Sequence, residues 1–492
     1  REDIQKLTIE LQKKDIIIQE QKEYIQEYRD YLNQVEENIK KASFTKGWKL
    51  MCLVRRVNEE LLKGSFIQKK NFFRWIKNKL LKRPLPEELE LLQFSPLHFK
   101  TLKIYETESE DFSVTIKRDY DLFRFPLIDW DYRWQRPQHM SLQFVRYGYR
   151  VFYFSITTVV IDKDNATYEE IGKEVKIKKL QRSLWEVKLC SKNNMNIYRD
   201  IITDPLDFKY LLWSIDYIKE RFNILNTITI VDLPFWTDLV LKLDRNKIIY
   251  DCMDYHWGFA GNSSNMLSRE TFLLEKADLI ITSSQGLFNR VVNSNKILLR
   301  NGGEYEHFSQ KPAELAPELQ NIKRPVIGYY GAISEWFDIK LFHELARRNS
   351  DWTFILVGST FGCDTSCLDN LRNVIFTGEK SYEILPSYLH GFDVCIIPFL
   401  VNELTMATNP VKIYEYLSAG KPVVSVRLPE VEIMSPMIRL ASTAEEFEEA
   451  IRNFLKEVDD LDAISRRKAF ALLNTWQMRF EKLEESINKF LL

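Results

Sequence analysis

From about residue 116 to the carboxyl terminus, short apolar runs of strand length alternate with helix-length segments, and the pattern occurs twice. That alternation constrains the fold more than any other feature. A strand, a helix and a further strand in register describe a parallel sheet covered on both faces. The first set places strands at 122–128, 151–155, 227–231, 247–250, 279–282 and 297–299, with helices at 138–147 and 271–277. A hairpin, 175–178 with 184–187, is inserted among them. The second set places strands at 326–330, 352–357, 373–376, 394–398, 422–426 and 438–440. The expected architecture is α/β: two doubly wound, Rossmann-like domains at 116–320 and 321–475, then a last helix at 476–492. Halves of this kind face each other across a cleft, and ligands sit at the carboxyl ends of the strands.

Ahead of these domains the chemistry is different. Positions 4, 11, 18, 25, 32 and 39 read Ile, Leu, Ile, Ile, Leu and Ile, a seven-residue repeat without Pro or Gly. Such a repeat predicts a coiled coil over 1–42 and therefore self-association. Lys14 and Gln21 fall at core positions of the repeat and leave the number of strands open. Residues 41–83 carry 13 basic and 2 acidic side chains, interleaved with Trp48, Phe66, Phe72, Phe73 and Trp75. An apolar face with a basic remainder over 43–83 predicts a helix lying on an anionic membrane surface. The alternative is a helical neck packed on the body of the protein. Pro84 and Pro86 break this segment, and 84–115 reads as a linker.

Charge and cysteine content exclude several classes. Across 492 residues, 69 Lys+Arg nearly balance 70 Asp+Glu, so the basic segment is offset by an acidic remainder. A nucleic-acid binder would carry its basic surface on a folded domain, so none is expected as partner. The longest apolar run, 394–401, has eight residues, well short of the roughly twenty that span a bilayer. The expected localisation is cytoplasmic, peripheral on the inner face of the cell membrane. Cys363 and Cys367 stand alone as a C-x3-C pair with no second pair to complete a zinc site, and no metal is expected. The chain opens on Arg1, as a fragment or a processed form would.

The stretch richest in chemistry is Asn409-Pro-Val-Lys-Ile-Tyr-Glu-Tyr-Leu-Ser-Ala-Gly-Lys-Pro-Val-Val424. Asn409 suits a helix cap and Pro410 a first turn. Lys412 and Glu415, three apart, share a face near the positive end of that helix. A helix amino terminus with a nearby Lys suits a diphosphate, and a carboxylate one turn on suits the hydroxyl pair of a ribose.

This stretch resembles the donor-binding helix of GT-B glycosyltransferases, in particular the bacterial polysaccharide-assembly group around glycosyltransferase family 4. Other segments agree in order: Val326-Ile-Gly-Tyr-Tyr-Gly-Ala-Ile333 with the donor-domain strand and loop, and Phe376-Thr-Gly378 with the base-binding loop. Asn301-Gly-Gly-Glu304 is similar to the end of the acceptor domain. Asp129-Trp-Asp-Tyr-Arg-Trp-Gln-Arg-Pro-Gln-His139 and Tyr250-Asp-Cys-Met-Asp254 resemble acceptor-side motifs of the same group. The resemblance implies a nucleotide-sugar donor as co-substrate, with no permanently bound cofactor and no metal. It places Glu415 on the ribose, and Asn409, Pro410 and Lys412 on the diphosphate. Gly331, Ala332 and Ile333 would lie against the donor, and Thr377 and Gly378 against the nucleobase. Glu335 and Trp336 would shape the sugar pocket. Two departures stand out: Ala407 occupies the place of a first Glu common in relatives, and the 332–338 loop lacks their basic residue.

On the acceptor side, a general base must reach an acceptor hydroxyl. Asp129, Asp131 and Asp254 all fall at strand ends facing the expected cleft. Arg133 and Arg136 are candidates for binding phosphate or acidic sugars. The expected activity is transfer of a hexosyl group to a growing, lipid-linked glycan. The rival readings are a catalytically degenerate scaffold organised by its coiled coil, and a nucleotide-sugar epimerase or hydrolase on the same fold. Donor base, sugar, linkage and stereochemistry stay open.

Overall fold

The computed structural model describes residues 119–492, apart from 199–200, 260–261, 436 and 457–459. The coiled coil expected at 1–42, the basic segment at 43–83 and the linker at 84–115 lie outside the described residues. In chain order the first half contributes β1 (Asp121–Phe125), β2 (Val151–Phe154), β3 (Val159–Val160), β4 (Lys176–Gln181) and β5 (Leu184–Lys188). It continues with β6 (Cys190–Ser191), β7 (Thr227–Val231), β8 (Asn246–Cys252), β9 (Leu279–Thr282) and β10 (Lys296–Leu298). Eight of these form one sheet in the order β10-β9-β8-β7-β1-β2-β5-β4. All neighbours in it are parallel except β4, which returns antiparallel along β5. The hairpin is thus no excursion from the sheet but its edge. Lys176, Lys178 and Lys179 on β4 are exposed there, a composition that discourages further strand pairing.

The apolar runs read as strands because both faces are covered. In β1, Phe123 and Phe125 point into a layer with Phe154 and Trp236, while Leu122 points into the opposite layer with Phe144 and Phe480. β1 ends at Phe125, earlier than the sequence suggested, because Pro126 cannot donate to a sheet ladder.

The second half is built from β11 (Val326–Tyr330), β12 (Thr353–Val357), β13 (Val374–Gly378), β14 (Val394–Ile397), β15 (Val423–Ser425) and β16 (Arg439–Leu440). They form a wholly parallel sheet in the order β13-β12-β11-β14-β15-β16. The final helix, Trp476–Phe490, belongs to the first half's core although it follows the second in sequence. Trp476, Phe480, Leu483 and Ile487 form its buried stripe, at helical spacing. The Phe480 ring sits 4.8 Å from Phe144 and 4.5 Å from Tyr147. Thr475 caps this helix by accepting from Met478 N–H.

Polar groups are buried inside the first half in balanced sets. Arg124 of β1 donates to Asp232 and Asp251, and Arg136 donates to Asp251 at 2.9 and 3.0 Å. Two cations and two carboxylates neutralise one another, the arrangement under which buried charge is tolerated. Glu270 lacks such a partner. It accepts from Tyr250 OH at 3.1 Å, and its other oxygen has no partner among the described residues. Burial pushes its carboxyl up to about 7. A carboxyl raised in the fold is harder to ionise there than in the unfolded chain, so stability falls as pH rises from about 4.5 to about 7. Between pH 5 and pH 8 this one group should cost up to about 3 kcal/mol. Glu270→Gln keeps the acceptor for Tyr250 and should remove that part of the pH dependence. Denaturant melts of both proteins at the two pH values check it; equal pH slopes would show that Glu270 is not buried as described.

Candidate functional site

At the carboxyl end of β11 the chain turns through Gly331, whose φ is +126°. A side chain there would meet Lys412 Cε at 2.9 Å. The glycine is needed for its backbone conformation and because Lys412 lies across it. Two motifs 81 residues apart in sequence therefore converge on one point. Lys412 Nζ makes no hydrogen bond or ion pair with the described residues; it sits 5.3 Å from the Tyr329 ring and 5.2 Å from the Phe399 ring. Desolvation lowers its pKa to about 8, only partly opposed by Glu415.

Glu415, one turn on and 6% exposed, accepts from Tyr330 OH at 2.8 Å. Burial raises its carboxyl to about 7, with Tyr330 and Lys412 pulling it down and Glu304 pushing it up. Tyr330 was not singled out from sequence. Its position as the last residue of β11, just before the turn glycine, is the signal that pointed to it.

The helix Val411–Ser418 carries Lys412 and Glu415, and its cap differs from the expectation. Pro410 stands at the N-cap position, with no side-chain cap. Asn409 is turned away: its Oδ1 accepts from Asn301 N–H at 3.0 Å and Tyr414 OH at 3.2 Å, and its Nδ2 donates to Glu430 at 3.1 Å. Asn409 thus ties the two halves together instead of capping. The helix start is left without a side-chain acceptor, as an anion site requires. Glu430, which no sequence pattern marked, also accepts from Gln285 N–H and from Arg300.

The adjoining loops complete this side of the candidate site. Gly331 N–H donates to Val357, and Ile333 N–H to Ser359, so neither amide is free for a ligand. Ile333 is fully buried and holds the loop in the core, a packing role where a ligand contact was expected. Ala332 O accepts from Tyr329 OH and from Trp336 Nε1, which fixes the Trp336 ring against this loop. Glu335 is exposed beside it. Thr377 and Gly378 end β13, and Gly378 O accepts from Gly358 N–H at 2.9 Å, joining this loop to the one after β12. Nothing lies within 4 Å of where a side chain on Gly378 would be, so open space adjoins it.

In the first half, the three candidate bases separate by their partners. Asp129 Oδ1 accepts from Ser155 Oγ at 2.5 Å and Ile156 N–H at 2.9 Å, which anchors the turn after β2. Asp131 is exposed and paired with Lys178 at 2.7 Å. Asp254, just past β8, makes no hydrogen bond or ion pair with the described residues. Burial, reinforced by Asp251, raises it to about 6, with Arg136 pulling the other way. Among the three, only its carboxylate stands free to take a proton.

The two arginines also part company. Arg136, 2% exposed, uses its guanidinium on Asp251, Leu299 O and Asn301 Oδ1. That is a correction: buried and engaged in this way, it has no reach to an acceptor, and it serves the junction of the halves. Arg133 is half-buried and forms a two-pronged pair with Glu379 of the second half, 2.6 Å at its shorter contact. Glu379 directly follows Gly378, so the 129–139 motif of the first half touches the loop after β13.

With the geometry in place, comparison with known proteins identifies the scaffold. Residues 324–457 match the family model described as Glycosyl transferases group 1. The chain is 35% identical over 209 residues to a Bacillus subtilis (strain 168) protein named "Putative teichuronic acid biosynthesis glycosyltransferase TuaH". That match covers 38% of this chain and 52% of the relative, so it spans about half the relative's length. Among solved structures, sucrose-phosphate synthase from Thermosynechococcus elongatus superposes with a TM-score of 0.56 at 13% identity, over 75% of this chain and 98% of that one. Anabaena Alr3699/HepE in complex with UDP-glucose gives 0.53 at 14% identity, over 75% and 99%. At these identities the structural likeness concerns the fold.

Proposed function

From a GT-B fold whose donor half carries a glycosyl transferases group 1 domain, we propose that this protein is a glycosyltransferase using a nucleotide-sugar donor. The observation that carries the reading is the convergence of Gly331, Lys412, the uncapped start of helix Val411–Ser418 and the Tyr330–Glu415 pair. In this reading the diphosphate lies against the helix start with Lys412 Nζ as its counter-charge. The ribose hydroxyls donate to Glu415, whose carboxylate Tyr330 holds in place. The nucleobase enters the open space at Gly378. Charge on the departing diphosphate is met by a preorganised cation and helix dipole, the kind of stabilisation that supplies most of an enzyme's rate. Asp254 is the base that takes the proton of the acceptor hydroxyl. The acceptor is a growing glycan, lipid-linked and met at the inner membrane face, a reading supported by the basic amphipathic character of 43–83 and by TuaH's description. Self-association through 1–42 belongs to the same proposal.

The pH dependence of donor binding tests the site. Lys412 must carry its proton to meet a diphosphate, so affinity should fall as pH rises above about 8. Glu415 must be ionised to accept from the ribose, so affinity should also fall below about 7. Each limb has a slope of up to about tenfold per pH unit. Calorimetric titration with a panel of UDP-, GDP- and TDP-sugars measures it, since their diphosphates do not titrate in this range. Affinity that stays flat from acid to alkaline pH would remove Lys412 and Glu415 from the donor site.

A further inference from the structure

Where the two halves meet lies a pocket of about 200 Å³. Its walls come from both halves: Leu298 and Arg300 at the end of β10, Tyr414 of the donor helix, Ile433 and Met434 after the helix Pro429–Glu432, and Phe470. Arg479 and Lys482 of the carboxyl-terminal helix close it. Three cations thus share a small space. Each is tethered from behind: Arg300 by Glu430 at 2.7 Å, Arg479 by Asn301 O and Asn474 Oδ1, and Lys482 by Leu298 O at 2.8 Å. Only Arg300 has a carboxylate partner in contact; Glu485, one turn along from Lys482, is the other acid nearby. Arg479 and Lys482 have lowered pKa values, first by burial and then by the neighbouring cations.

Arg479 and Lys482, held by neutral oxygens, repel one another and Arg300, and an anion among them would relieve that repulsion. Ile433, Met434, Leu298 and Phe470 add apolar wall, which suits an organic body attached to the anionic group.

We propose that this pocket is a binding site for a small phosphate-bearing anion, separate from the donor site, which pins the junction between the two halves. Guanidinium pairs recognise phosphate oxygens with geometric precision, and an ammonium group adds a point charge. The pocket borders the donor machinery through Tyr414, which donates to Asn409 Oδ1 and lies next to Glu415 in sequence. It also borders the chain crossing through Arg479, which holds Asn301 O. An occupant would therefore stiffen the contacts on which the cleft's opening turns. The proposal stands independently of the transferase reading.

The test is a titration of the full chain with inorganic phosphate at constant ionic strength, followed by calorimetry and by melting temperature. Sodium chloride serves as the control. Wild type should bind and melt a few degrees higher. Lys482→Glu, at an exposed position, should weaken phosphate binding by about tenfold or more. Ile433→Asp, at a side chain 54% exposed, should do the same by placing a carboxylate in the wall. Lys412→Ala should leave this binding intact. Binding that is lost in Lys412→Ala yet kept in Lys482→Glu and Ile433→Asp would put the anion in the donor site and overturn the proposal. So would a response no larger than that to sodium chloride.

Discussion

Lys412→Ala should lower kcat/KM for sugar transfer by about 10²–10³-fold while leaving the melting temperature unchanged or higher. The two halves of that expectation share one physical cause. Lys412 has no ion-pair partner among the described residues, and burial lowers its pKa to about 8. An ammonium group that pays for desolvation without a partner is a burden on the empty protein. Its compensation arrives with an anion, and most strongly when the diphosphate gains charge as the sugar departs. The variant's rate should also lack the decline above about pH 8 that is expected of wild type. Steady-state kinetics across pH, alongside thermal melts, measures both. A variant that melts lower and retains its rate would make Lys412 a structural residue packed on Tyr329 and Phe399.

Asp254→Asn should lower kcat by about 10²–10⁴-fold, again with no loss of stability. The carboxyl is raised to about 6 chiefly by burial, so a neutral isostere suits the folded state at neutral pH. For wild type the sign is fixed: the rate should fall as pH drops through about 6, where the base takes up a proton before the acceptor can supply one. The neighbouring candidates provide contrast. Asp129→Ala removes the acceptor for Ser155 Oγ and Ile156 N–H and should lower the melting temperature, because two donors lose their partner. Asp131→Ala removes only an exposed pair with Lys178 and should change little. If Asp254→Asn transfers sugar at the wild-type rate, the proton goes elsewhere and the base assignment falls.

The proposed donor side is read from sequence because its chemistry is local. Lys412 and Glu415 lie three apart on one helix, and the spacing alone puts them on a shared face. Gly331 follows directly on a β-strand, where a tight turn is the usual reason for glycine. Asn409 was misread for the opposite reason. An Asn before Pro at a helix start looks like a cap, but a side chain pairs with whatever the fold brings near. Here that is Asn301, 108 residues earlier, and Glu430. Arg136 shows the same limit: next to Arg133 in a cleft-facing motif it looked available, and a partner 115 residues away in β8 occupies it.

By itself the sequence determined the two α/β halves and most of their strands, the helix that starts after Asn409-Pro410, and the shared face of Lys412 and Glu415. Those features rest on periodicity and on neighbours within one helical turn, which any chain of this sequence must present. Tertiary structure decided which carboxylate is left unpaired among the described residues, which arginine is buried, that Tyr330 holds Glu415, and that three cations meet where the two halves join. Each of these depends on desolvation and on contacts between residues far apart in the chain. Burial and long-range pairing set the charge state and reach of a side chain, and neither exists until the halves have folded together.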